Sequence, residues 1–101
     1  MTKPTDKQPT RINIELPANL EATYANLAII NHSASEIILD FARVMPNQNK
    51  SKIQSRVVMT PLNAKLLLRA LTENLQRYET QYGAINIPEN IIIDPNRGFI
   101  R

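Results

Sequence analysis

One stretch limits the fold more than any other, because it is punctuated at both ends: "TPLNAKLLLRALTENLQRYETQYG", residues 60–83. Thr60 suits an N-cap, and Pro61 suits the first helical position, where a missing N–H costs nothing. Gly83 suits the residue just past the end, where a left-handed backbone closes the last turn. Between them Ala64, Leu68, Leu71, Leu75, Tyr78 and Tyr82 recur at heptad-like spacing. Leu67 and Asn74 extend that stripe on one side, and Leu66 and Ala70 widen it. A long amphipathic helix is predicted, with an apolar face broader than a lone surface helix needs. The extra width suits packing on a sheet and on a second copy of the helix.

The segments before this helix read as strands. "RINIEL" (11–16) alternates strictly: Ile12, Ile14 and Leu16 share one face, while Arg11, Asn13 and Glu15 share the other. That is the pattern of a half-buried strand, which Pro17 ends. "ATYANLAIIN" (22–31), "SEIILDFARVM" (35–45) and "SKIQSRVVMT" (51–60) follow. Their connections, His32-Ser33-Ala34 and "PNQNK", are too short for parallel crossovers. The expected fold is therefore α+β: an antiparallel meander of about four strands, followed by one long C-terminal helix packed on one sheet face. With 101 residues the chain is enough for one domain. The expected organisation is a disordered polar arm over 1–10, one domain over 11–83, and an extension over 84–101 with a candidate strand at 90–94. The apolar "NIIID" of that extension is expected to dock on its own domain or on a partner subunit.

Loop centres predict a register. Centring the first hairpin on Ser33 sets Leu27 opposite Leu39, Ile29 opposite Ile37 and Ala25 opposite Phe41. Centring the second on Gln48 sets Leu39 opposite Val57, Ile37 opposite Met59 and Phe41 opposite Ser55. Both place the same residues of the central strand on one apolar face. On the other face Asn26, Asp40 and Arg56 then form a row across three strands, with Asp40 and Arg56 as a cross-strand ion pair.

His32, with Ser33, Ser35, Glu36 and Asp40 nearby, invites a hydrolase reading. A Ser–His–Asp triad needs its members to converge. Asp40 lies far along the next strand from a hairpin tip, so the stretch reads as a turn carrying a solvated histidine. One histidine, no cysteine and scattered carboxylates leave no expected metal site. Two glycines, Gly83 and Gly98, rule out a P-loop or a dinucleotide fingerprint. No enzyme, cofactor or catalytic residue is expected.

The net charge of +3 is mildly basic. Lys50, Lys52 and Arg56, with Arg43 just before the loop, are candidate nucleic-acid contacts. Solubilising a sheet edge is the competing explanation for these cations. Aromatic content of 5% and no tryptophan leave few surfaces for stacking bases. "MTKPTDKQPT" lacks the apolar run of a secretory signal, and no stretch is apolar enough to span a bilayer, so a cytoplasmic location without a membrane partner is expected.

The central run is similar to a family of short bacterial proteins classed as a domain of unknown function. The matching residues are Tyr24-Ala25-Asn26-Leu27, His32-Ser33, Asp40-Phe41-Ala42-Arg43-Val44-Met45-Pro46, Lys50 and Lys52, Ser55-Arg56, Thr60-Pro61, and Ala64-Lys65 through Tyr78-Glu79. They cover about residues 20–83. The resemblance implies a bacterial cytoplasmic protein and brings no activity with it. In topology alone, a four-stranded antiparallel meander followed by a long helix is similar to the export chaperone SecB, without a shared motif.

The leading functional expectation is a non-enzymatic, homo-oligomeric interaction protein, a dimer or higher. Asn26, Asp40, Arg56, Leu68, Leu75 and Tyr78 are its candidate interface residues. Nucleic-acid binding through residues 50–56 and a SecB-like holdase for unfolded chains are the alternatives, and a protein partner is compatible with the first and the last.

Overall fold

The computed structural model describes residues 11–94 and 98–100. The sequence-based disordered arm over 1–10 lies outside the described residues. Three strands, β1 (Leu27–His32), β2 (Ile37–Ala42) and β3 (Ile53–Met59), precede the helix α1 (Pro61–Tyr82). Two short strands, β4 (Ile92–Asp94) and β5 (Gly98–Ile100), follow it. All pair antiparallel in one sheet of order β3-β2-β1-β5-β4. The α+β class, and the order of sheet then single helix, are as the sequence predicts.

The helix ends are built as the sequence predicts. Asn63 N–H donates to Thr60 Oγ1 at 3.1 Å, and Pro61 opens the first turn. Gly83 closes the helix with φ of 103°, and its N–H donates to the Glu79 carbonyl at 2.9 Å. That φ lies in a region that residues with a Cβ rarely adopt, so glycine fits this position.

The packing of the helix differs from expectation. α1 does not lie on the sheet, and none of its residues is buried. Leu68, Leu71, Leu75, Tyr78 and Tyr82 are all exposed. The junction explains this. Thr60 alone connects β3 to α1, with an extended backbone and a proline fixed behind it. Connections that fold a helix back over its sheet take about 2–6 residues. The chain is accordingly elongated, with a radius of gyration of 17.7 Å where about 13 Å is usual for a compact domain of this length.

"RINIEL" also departs from expectation. Residues 11–16 form no strand, and Ile12, Ile14 and Leu16 are exposed, Ile14 to 91%. β5 occupies the edge of β1 that this segment would have used. Gly98 makes that approach possible: its φ is 129°, and a Cβ there would overlap the carbonyl oxygen of Ala28.

The two hairpins compare differently with their predicted registers. In the second, Ile37 faces Met59, Leu39 faces Val57 and Phe41 faces Ser55, as predicted, before a bulge sets Ala42 opposite Ile53. In the first, Leu27 faces Ala42, Ile29 faces Asp40 and Ile30 faces Leu39. Each partner is displaced by three residues, which moves β1 to the opposite face. The turn is the cause. Ser33 N–H donates to the Glu36 carbonyl, while Ser33 Oγ accepts from the N–H groups of Ser35 and Glu36. The loop is thus the four residues 33–36, and its centre is not Ser33.

The small core sits in the middle of the sheet: Leu27, Ala28 and Ala42 are buried, and so is Asp40. By the observed register, one sheet face carries Phe99, Ala28, Ile30, Leu39, Phe41, Val57 and Met59. No helix covers it.

Candidate functional site

The second hairpin places Asp40 opposite Arg56. Arg56 Nε donates to Asp40 Oδ1 at 2.7 Å, and Nη2 donates to Oδ2 at 3.0 Å. This two-pronged geometry matches a planar guanidinium to a planar carboxylate. Only 6% of the Asp40 side chain is accessible, against 64% of Arg56. The hydrogen bonds from Arg56 hold the Asp40 carboxyl below the ordinary aspartate range, and its positive charge adds to them; burial opposes both. Arg56 is pushed up in return, first by the same hydrogen bonds. The two side chains tie β2 to β3 on the less apolar face.

Asn26 is not part of that row, which corrects the predicted alignment. The three-residue displacement of β1 puts Ile29 beside Asp40. Asn26 works elsewhere: Val44 N–H donates to its Oδ1 at 2.7 Å, and its Nδ2 donates to the Val44 carbonyl at 3.1 Å. The side chain thereby continues the β1–β2 ladder beyond the strands and satisfies backbone groups that would otherwise lack partners.

Among the predicted nucleic-acid contacts, the structure separates Arg56 from the lysines. Lys50 and Lys52 line a shallow concavity with Arg43, Gln48 and Gln54. The loop around it is shaped by Asn47 at φ of 64°, a conformation asparagine tolerates, and by Ser51 Oγ donating to the Arg43 carbonyl at 2.8 Å. The Arg43 guanidinium lies 5.7 Å from the Tyr24 ring centre. The bulge at Phe41/Ala42, where Ser55 gives way to Ile53 as the facing residue, ends the regular ladder just before this loop.

The third group is the stripe on α1. Leu68, Leu75 and Tyr78 are exposed together, and the Tyr78 and Tyr82 rings meet at 5.0 Å. His32, at the end of β1, is exposed, and the neighbouring serines are engaged in the turn. Among the described residues no three His, Asp or Glu side chains gather as a metal site would require. No helix among them is long and apolar enough to cross a membrane.

An open antiparallel sheet followed by a free amphipathic helix defines a small α+β protein. The chain belongs to a family of proteins of unknown function, DUF3467, whose model matches residues 1–87. That match takes in Arg11–Leu16, which lay outside the resemblance read over 20–83, and stops before β4 and β5. No curated protein and no solved structure matches the chain.

Proposed function

We propose that this protein is a non-enzymatic, cytoplasmic interaction protein that works as a homo-oligomer, with a second copy covering the helix stripe. One observation carries the reading: a capped helix of 22 residues has an apolar face and buries none of it. The accessible surface supports a partner. It is 9553 Å², where a compact chain of 11.5 kDa exposes only about 5,800 Å². The excess, about 3,750 Å² in each chain, leaves room for the roughly 1,000–2,500 Å² that each partner of a permanent homodimer buries. Large contiguous apolar patches on a soluble chain mark contact surfaces.

A two-fold axis beside α1 places each stripe on its equivalent, so a single surface serves both subunits. Native mass spectrometry of the full chain at low micromolar concentration tests the reading. A dimer or tetramer is expected, and a monomer at every concentration would overturn it.

A second reading rests on Arg43, Lys50 and Lys52 lining one concavity, which suits phosphate groups of a nucleic acid. It predicts binding to single-stranded RNA that falls steeply with salt and is lost in Lys50→Ala/Lys52→Ala. Arg56 is left out of this surface because its guanidinium is engaged with Asp40.

A further inference from the structure

We propose that Arg11–Leu16 of one copy adds as an antiparallel strand to the free edge of β3 in a second copy. The inference rests on the homo-oligomer reading and names a second contact within it. Three observations converge on it.

The segment has the strict alternation of a half-buried strand, yet it has no strand partner among the described residues and exposes Ile12, Ile14 and Leu16. Its expected seat beside β1 is filled by β5. Two edges of the sheet remain, β3 and β4. β4 has three residues, too few to template a strand of six, whereas β3 has seven. β3 carries no proline and exposes Val57 and Val58, so nothing in it blocks an added strand.

The register follows from chemistry on both faces. Setting Ile14 opposite Val57 puts Ile12 opposite Met59 and Leu16 opposite Ser55, all on the apolar face of the sheet. The same register puts Asn13 opposite Val58 and Glu15 opposite Arg56 on the other face. Arg56 has five N–H donors, and two are given to Asp40. The remaining three are available to the Glu15 carboxylate, and Arg56 is exposed on the side where it would arrive. The row across the two chains is then Glu15, Arg56, Asp40: one cation between two carboxylates. Ladder hydrogen bonds supply the affinity of such an added strand, and side-chain matching supplies its register.

Cross-linking tests this directly, because the chain has no cysteine of its own. Asn13→Cys and Val58→Cys are made in separate full-length proteins, mixed, and oxidised with copper phenanthroline. A disulfide-linked heterodimer in the mixture is expected. Ile14→Pro in the Asn13→Cys chain should sharply reduce its yield. Ile14 is exposed in the single chain, so the substitution leaves the fold intact, and it should raise the half-dissociation concentration about tenfold, the equivalent of a lost ladder hydrogen bond or two. Glu15→Arg should weaken the contact and flatten its salt dependence. In a third protein that carries both substitutions, a disulfide confined to the monomer band would show pairing within one chain and overturn the proposal. An oligomer in native mass spectrometry without any cross-link would overturn strand addition and leave the homo-oligomer standing. A monomer throughout would overturn both.

Discussion

β2 and α1 carry similar amphipathic signals, and they end in opposite situations. β2 is the central strand of its hairpins, with β1 and β3 paired on either side, and it contributes Asp40 and Ala42 to the buried set. α1 has nearly four times as many residues and buries none of them. The difference lies in the connections. β2 is joined to its neighbours by loops that reverse the chain, so its partners arrive by local folding. α1 leaves β3 through one residue and is directed away from the sheet. An apolar face shows that a surface is to be covered, whereas the connection decides which chain can cover it.

The largest expected effect breaks the contrast from the helix side. Leu71→Glu/Leu75→Glu puts two charges into the stripe and should eliminate the oligomer in native mass spectrometry, while the β-sheet signal in circular dichroism persists. If the oligomer survives, the stripe is not its contact.

Leu68→Ala measures the same contrast as an energy. In a covered stripe the substitution costs about 2–5 kcal/mol. On a free surface it stays within about 0.5 kcal/mol. Urea unfolding should therefore give a large cost at high protein concentration and a small one at high dilution. On the β2 side, Ala42 has 0% exposure, and Ala42→Leu should cost about 1–3 kcal/mol by overpacking. That cost should not depend on protein concentration, because β2 is enclosed within its own chain.

Thr60→Ala tests the junction. Losing the Thr60 hydroxyl as acceptor for Asn63 N–H should cost about 1 kcal/mol, read as a lower melting temperature and fraying at the start of the helix.

The ion pair gives a distinct pH signature. Because Asp40 is held below the ordinary aspartate range in the folded chain, its stabilisation is complete above that range. It is lost as pH falls through the lowered value. Thermal unfolding of the natural protein should therefore weaken below about pH 4. Asp40→Asn removes the titrating group, and the acid decline should flatten. Arg56→Ala should destabilise more than Asp40→Asn at pH 7, since it leaves a buried carboxylate unpaired.

How far the sequence was legible depends on where its signals are local. The helix was readable to its ends because a cap hydroxyl, a proline and a glycine act on adjacent backbone. The register of the second hairpin was readable because the alternating face of β2 continues across a loop whose length matched its centre. The pair of Asp40 and Arg56 followed from that register alone. The first hairpin was not readable. "LAIINH" is apolar on both of its faces, so alternation could not distinguish a three-residue displacement, and the hydrogen bonds of Ser33 set the loop length. The placing of Asn26 was lost with the register that carried it.

By itself the sequence determined the α+β class, the span of the helix, one hairpin register and the identity of the ion pair. Each depends on residues that are near in the chain or share a strong period. Only the tertiary structure decided that β5 takes the edge of β1, that Arg11–Leu16 is left without a strand partner, and that the helix stands clear of the sheet. Those outcomes turn on competition for the same edge and on the direction of a one-residue junction, neither of which has a period to read.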